Sequence, residues 1–225
     1  MSVVSGKNDA QHGDSVVGFI GLGNMGSPMV LRALERGWQV IVHDRRDEPL
    51  RVVEQAGATV ATSLSALLER CRLVSVMVWD DHQLRDLVLG PRGLLECATA
   101  DHTIVIHSTV APATVVEIGH VASRRGTAVV DAPVSGGTAG RARSGQLTLM
   151  VGGSPDHVGR CLPLLETFGR EVYQMGPLGH GAAAKIVNNA MAIGYLLFAI
   201  EGLRLASAVG IDVEQMRPVA SRSSG

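Results

Sequence analysis

Apolar residues come in short runs along this chain, and segments of helical spacing lie between most of them. The runs Val16–Ile20, Gln39–Val42, Thr59–Ala61, Leu73–Val78, Thr103–Ile106, Ala128–Val130, Leu147–Val151 and Val172–Gln174 read as strands. VVGFI and LVSVMV are apolar at nearly every position, as strands covered on both faces are. A helix-like stretch runs to Arg36 and stops at Gly37. Ser63 and Ser65 can cap another helix, Asp81 begins a third, and Pro112 stands in the first turn of a fourth. Strands alternating with helices imply βαβ units, so the expected fold is α/β, Rossmann-type, with a doubly wound and mainly parallel sheet.

After Gly181 the pattern changes. Ala182–Val209 holds no proline and no turn cluster. As one helix it would be about 42 Å long at 1.5 Å per residue, more than one layer of such a fold needs. It reads as a rod leaving the first domain, ended by Gly210, with Asp212 capping a further helix to about Ala220. The expected organisation is a flexible tail over 1–14, a dinucleotide-binding domain over 15–178, and a long interdomain helix with the start of an all-α domain over 179–225.

Composition narrows the function. The chain has 225 residues, 46% hydrophobic and 18% charged, with a net charge of −1. No basic stripe is available for a phosphate backbone, so nucleic acid is not an expected partner. Cys71, Cys97 and Cys161 are widely spaced and fit neither a disulfide framework nor a zinc site, which points to a reducing cytoplasm. The residues from Met1 to Asp14 are polar and lack a signal peptide's apolar run. Ala190–Ile200 is the most apolar stretch, and Glu201 interrupts it. It is shorter than the roughly 20 residues of a membrane span and has the look of a buried helix.

The motif Gly21-Leu22-Gly23-Asn24-Met25-Gly26 follows an apolar strand and opens a helix. Gly21 permits the tight turn, Gly23 lets backbone approach a pyrophosphate, and Gly26 lets helix and strand pack closely. In that context the motif signals dinucleotide binding. The second strand leads to Asp44, 18 residues after Gly26, placed to accept from ribose hydroxyls. Arg45 and Arg46 follow and could pair with a 2′-phosphate, or merely form a solvated loop. A carboxylate repels that phosphate, so the balance tilts from NADP toward NAD. Asp131-Ala-Pro-Val-Ser135-Gly136-Gly137 ends a strand, and its hydroxyl and N–H groups suit a carboxylate, or form an ordinary glycine turn. His107-Ser108-Thr109-Val-Ala-Pro112 carries hydroxyls that could face a ligand or cap the next helix. Lys185 and Asn189 share a helix face at i and i+4. A lone helical lysine is usually a solvated charge, but Lys185 is the only charged residue between His180 and Glu201. Desolvation there would lower its pKa and suit it to proton exchange. No metal-ligand spacing, GxSxG elbow or Walker sequence occurs.

Together GFIGLGNMGSPM at 18–29, HSTVAP at 107–112, DAPVSGG at 131–137 and GAAAKIVNN at 181–189 resemble the β-hydroxyacid dehydrogenase family. The resemblance covers the chain from about Val16 onward. It implies reversible hydride transfer between NAD(P) and a small 3-hydroxy acid or its semialdehyde. It implies Lys185 as the catalytic acid/base and Ser108, Ser135, Gly136, Gly137 and Asn189 as substrate-binding residues. Gly21, Leu22, Gly23, Asn24, Met25, Gly26, Asp44, Arg45 and Thr109 would hold the cofactor. Imine reductases share the scaffold but usually replace the lysine. In 6-phosphogluconate dehydrogenases a histidine stands where this chain has Asn188. Members are longer, so the C-terminal domain would be truncated here, and the alternatives are a catalytically impaired dinucleotide-binding fragment or an imine reductase-like enzyme on the same scaffold. A homodimer or higher homo-oligomer is implied for the full-length form, with no membrane partner. An isolated chain would then expose an apolar patch along Met191, Ile193, Leu196, Leu197, Phe198 and Ile200.

Overall fold

The computed structural model describes residues 15–136 and 138–223. The tail expected over 1–14 lies outside the described residues. Two compact units divide the chain, one through Lys185 and one from Ile186.

Six parallel strands form the centre of the first unit: β1 (Val16–Ile20), β2 (Gln39–His43), β3 (Thr59–Val60), β4 (Leu73–Val76), β5 (Thr103–Ile106) and β6 (Ala128–Asp131). Their order is 3-2-1-4-5-6, the Rossmann arrangement. Three further strands extend the sheet: β7 (Val134–Ser135), β8 (Leu147–Gly152) and β9 (Gly169–Gly176). β8 runs antiparallel to β6 and β7 and parallel to β9.

The alternation of side chains along each strand divides the core in two. Phe19, Val40, Val42 and Val105 face one layer, while their neighbours Ile20, Ile41, Ile104 and Ile106 face the other. The first layer is closed by α1 (Gly26–Glu35), α2 (Asp47–Gln55), α7 (Ala139–Arg143) and α8 (Pro155–Phe168). The second is closed by α3 (Leu64–Leu68), α4 (Asp81–Leu89), α5 (Leu94–Cys97) and α6 (Pro112–Ser123). Helices on both faces explain why the strands read as continuous apolar runs.

The expected elements are present, with differences at their ends. Ser63 caps α3 by accepting from the Ala66 N–H, and Pro112 is the first residue of α6. β4 stops at Val76 rather than Val78. The Met77 carbonyl presses against Gly21, and the Val78 N–H leaves the ladder to donate to Ser108 Oγ at 2.8 Å. β7 has no counterpart among the expected runs, because two residues are too few to show a period.

The long helix α9 (His180–Ala208) has 29 residues. Its stop is chemical. Gly210 takes φ +84° and donates to the Ser207 carbonyl, while the Ile211 N–H bonds the Ala206 carbonyl. This is a Schellman closure, which a left-handed glycine permits. Asp212 then caps α10 (Val213–Arg222) by accepting from the Glu214 N–H at 3.0 Å. Within the second unit most large apolar residues of α9 are exposed, Phe198 at 80% and Leu197 at 61%. The patch expected of an isolated chain is therefore present, and the simpler expectation of a buried helix is overturned. The expectation of an apolar segment too short for a bilayer is also revised. By length and composition alone, α9 is long and apolar enough to cross a membrane, with a mean hydropathy of 1.5 over its 18-residue window.

Candidate active site

Parallel strands end on one edge of the sheet, and the chemistry-bearing loops gather there. The loop after β1 carries the glycine motif. Gly21 has φ +93°, and a Cβ there would overlap the Met77 carbonyl. A Cβ on Gly26 would overlap the carbonyl of Gly21 and press on the Phe19 ring. Both glycines are thus required by the turn itself. Gly23 differs, since a Cβ there would meet nothing within 4 Å. Its missing side chain leaves open space rather than serving internal packing. Met25 precedes α1 without a side-chain cap. In the first turn the Ser27 and Met29 N–H groups bond the Gly23 and Met25 carbonyls, and Pro28 has no N–H, so the loop offers an anion space over Gly23 rather than a row of helix donors.

Asp44, at the end of β2, reaches back to this loop. Its Oδ2 accepts from the Leu22 N–H at 2.6 Å, and its Oδ1 accepts from the Arg46 N–H at 2.9 Å and from Arg46 Nε at 3.2 Å. Burial works to raise the Asp44 carboxyl. Arg46 and the two backbone donors outweigh it and hold the pKa below the usual value. Arg45 and Asn24 are exposed, and Met25 is half-buried.

The loop after β5 begins with His107 and Ser108, both buried. Ser108 does not cap α6, whose preceding residue is Ala111. It instead ties the end of β5 to the end of β4 through the Val78 N–H. Thr109 is exposed. His107 lies under the loop, stacked on Phe19 with centroids 6.3 Å apart and edge-on to Phe168. Its Nδ1 pairs with the Ala132 carbonyl at 2.9 Å and its Nε2 with Ser75 Oγ at 3.1 Å. Burial pushes its pKa down to about 4.

After β6 the chain passes Asp131 and enters β7. Ser135 pairs with Thr148 of β8 and is half-buried. Gly136 takes φ +122°. Gly137 lies outside the described residues. Asp131 is fully buried, and its two carboxylate oxygens accept from the Gly179 and Ala182 N–H groups at 2.8 and 2.6 Å. The start of α9 is thereby fastened to the end of β6. Lys185 follows within the first unit, half-buried, and burial lowers its pKa. Asn188 and Asn189, also half-buried, belong to the second unit.

The structure ties Asp44 to the glycine loop and Ser108 to the end of β4, places Ser135 and Gly136 in and after β7, and fastens the α9 start that carries Lys185 to the end of β6. The sequence reading quoted Asp131 within a motif and gave it no task. Its signal was a carboxylate closing an apolar strand, AVVD, where burial demands a partner. No group of three or more metal-ligating side chains occurs among the described residues.

Residues 16–176 match the family described as the NAD binding domain of 6-phosphogluconate dehydrogenase. Over 209 residues the chain is 35% identical to the NAD-dependent L-serine dehydrogenase of Pseudomonas aeruginosa, covering 93% of this chain and 70% of that protein. Over 210 residues it is 36% identical to the 3-hydroxyisobutyrate dehydrogenase of the same bacterium, with the same coverage. Among solved structures, Mycobacterium tuberculosis 3-hydroxyisobutyrate dehydrogenase with L-serine superposes with a TM-score of 0.86 at 26% identity. That match covers 94% of this chain and 71% of the other.

Proposed function

The chain belongs to the β-hydroxyacid dehydrogenase family of NAD(P)-dependent oxidoreductases, and from that premise we propose that it interconverts a small 3-hydroxy acid and its semialdehyde with Lys185 as acid/base. The observation that carries the reading is Lys185 itself. It is a half-buried ammonium with a lowered pKa, on a helix fastened to the edge where the glycine loop lies.

The nicotinamide cofactor, when bound, supplies the hydride acceptor or donor. The residues fit such a group: the space over Gly23, at the mouth of α1, is open to a pyrophosphate, and Asp44 closes the loop beside it. Leu22, Asn24 and Met25 supply the backbone of that cradle, with Arg45 and Thr109 at its margin. Asp44 stays ionised and accepts the ribose hydroxyls, and its charge opposes a 2′-phosphate, so NAD is the preferred cofactor. Ser135, Gly136 and Gly137 hold the substrate carboxylate. Ser108 and Asn189 orient the reacting oxygen. Unprotonated Lys185 takes the hydroxyl proton during oxidation, and the ammonium returns it during reduction. Burial lowers the lysine's pKa, which eases release of the proton that it exchanges.

We assign the exposed apolar face of α9 to contact with another copy of the chain rather than to a bilayer, and the enzyme to a reducing cytoplasm. Glu201 and Arg204, both largely exposed and paired at 3.4 Å, interrupt that face with charge. All three cysteines are free thiols.

The test uses NAD-linked oxidation of L-serine and of 3-hydroxyisobutyrate, with dinucleotide affinity measured by fluorescence titration. Lys185→Ala should lower kcat by about 10²–10⁴, the usual contribution of a positioned acid/base, and spare dinucleotide affinity. Turnover retained in that variant removes Lys185 from its role. Binding of NAD without turnover of either substrate favours a dinucleotide-binding protein.

A further inference from the structure

We infer that Asp131 is the positioning residue for Lys185: its buried carboxylate pins the first turn of α9 to the end of β6 and so sets where the lysine stands. The inference rests on Lys185 being the acid/base and adds the device that holds it.

A helix start leaves N–H groups without partners, and most helices meet them with a side chain from the residue just before. At α9 the acceptor comes instead from a strand 48 and 51 residues earlier in the chain. One carboxylate oxygen serves the Gly179 N–H and the other the Ala182 N–H. Ala182 lies three residues before Lys185, so the two share a face on successive turns. Fixing the Ala182 N–H therefore fixes the turn on which Lys185 rides.

The surrounding backbone is shaped to admit this carboxylate. Gly152 pairs with Asp131 across the sheet, and a Cβ there would overlap Asp131 Oδ1 and lie 2.8 Å from the Gly181 nitrogen. A Cβ on Gly181 would overlap the Met150 carbonyl and come within 2.8 Å of Asp131 Oδ2. A side chain at Gly152 would strike the carboxylate itself, and one at Gly181 would force the helix start away from the Met150 carbonyl and the carboxylate together. Burial raises the Asp131 carboxyl, and the backbone donors pull it back. A fully buried carboxylate is tolerated only with such partners, and here every named partner belongs to the approach and first turn of α9.

The test compares wild type, Asp131→Asn and Gly181→Ala by amide hydrogen exchange, dinucleotide titration and steady-state kinetics with L-serine or 3-hydroxyisobutyrate. In Asp131→Asn one amide face presents N–H to N–H. Exchange at Gly179 and Ala182 should accelerate about tenfold or more, the factor expected from losing one charge-assisted hydrogen bond. The kcat should fall about tenfold or more, with dinucleotide affinity unchanged. Gly181→Ala disturbs the same turn from the other side and should give the same pattern, which keeps the test decisive if the Asn variant folds poorly. Exchange rising evenly over the sheet with kcat unchanged means that Asp131 serves stability alone, and overturns the inference. So does a wild-type kcat in both variants while Lys185→Ala is inactive. Turnover retained in Lys185→Ala instead removes the acid/base reading on which the inference stands.

Discussion

Acidification should strike this fold first at His107. The ring is 1% exposed, between Phe19 and Phe168, and its pKa is pushed down from 6.5 to about 4 by burial. An unfolded chain therefore binds a proton near pH 6.5 that the folded chain refuses until about pH 4. The lowered pKa means that neutral His107 contributes stability in full above pH 6.5, and that this is lost as pH falls toward 4. A gap of about 2.5 pKa units corresponds to on the order of 3 kcal/mol in all, of which about 2 kcal/mol disappears between pH 7 and pH 5. That is a large part of a typical domain's margin of about 5–15 kcal/mol. Other groups titrate too, so the measurement is a difference. Urea unfolding of wild type and His107→Phe is followed from pH 7 to pH 4.5. The variant strands Ser75 Oγ and the Ala132 carbonyl, and should start about 1–3 kcal/mol less stable at pH 7. Its deficit should shrink by about 2 kcal/mol by pH 5, because the phenylalanine has no proton to gain. A deficit that stays constant over that range refutes the reasoning. The consequence reaches the site, since His107 joins the ends of β4, β5 and β6 directly beneath Ser108.

Two further predictions concern the cofactor cradle. Gly26→Ala sets a methyl group against the Gly21 carbonyl, so it should cost about 1–3 kcal/mol of stability and abolish dinucleotide binding; wild-type affinity by fluorescence titration rules this out. Asp44→Ala removes the acceptor of the Leu22 N–H and releases the Arg46 guanidinium. It should weaken NAD binding about tenfold, the loss of one charge-assisted hydrogen bond, and shift the affinity ratio toward NADP; an unchanged ratio of the two dissociation constants counts against Asp44 as the discriminating group.

The sheet was legible because each parallel strand is covered on both faces. Burial on both sides makes it a run of apolar residues, and such a run needs no partner to be recognised. The glycine loop was legible for a related reason, since backbone crowding at Gly21 and Gly26 admits only one residue type. The ends of elements were less so. β4 reads as apolar to Val78, yet it ends at Val76 because Gly21 and Ser108 claim the backbone of the next two residues. No local pattern announces that claim.

The buried polar groups mark where local reading stops. His107 bonds partners 25 and 32 residues away, and Asp131 bonds partners 48 and 51 residues away. Periodicity carries information over a turn or two, so it is silent on such pairs. What the sequence does hold is their steric shadow. Gly152 ends a strand and Gly181 sits in the first turn of a helix, positions where glycine has no local reason to be. Gly152 is explained first by the carboxylate of Asp131, and Gly181 by the Met150 carbonyl together with that carboxylate, none of which lies close in sequence to the glycine it explains. A buried carboxylate needs donors, the donors must be backbone, and backbone can come that close only where side chains are missing. An acidic residue that closes an apolar strand, with two later glycines lacking a turn to explain them, is therefore a readable sign of a strand-to-helix clamp. Here that clamp holds the helix that carries Lys185.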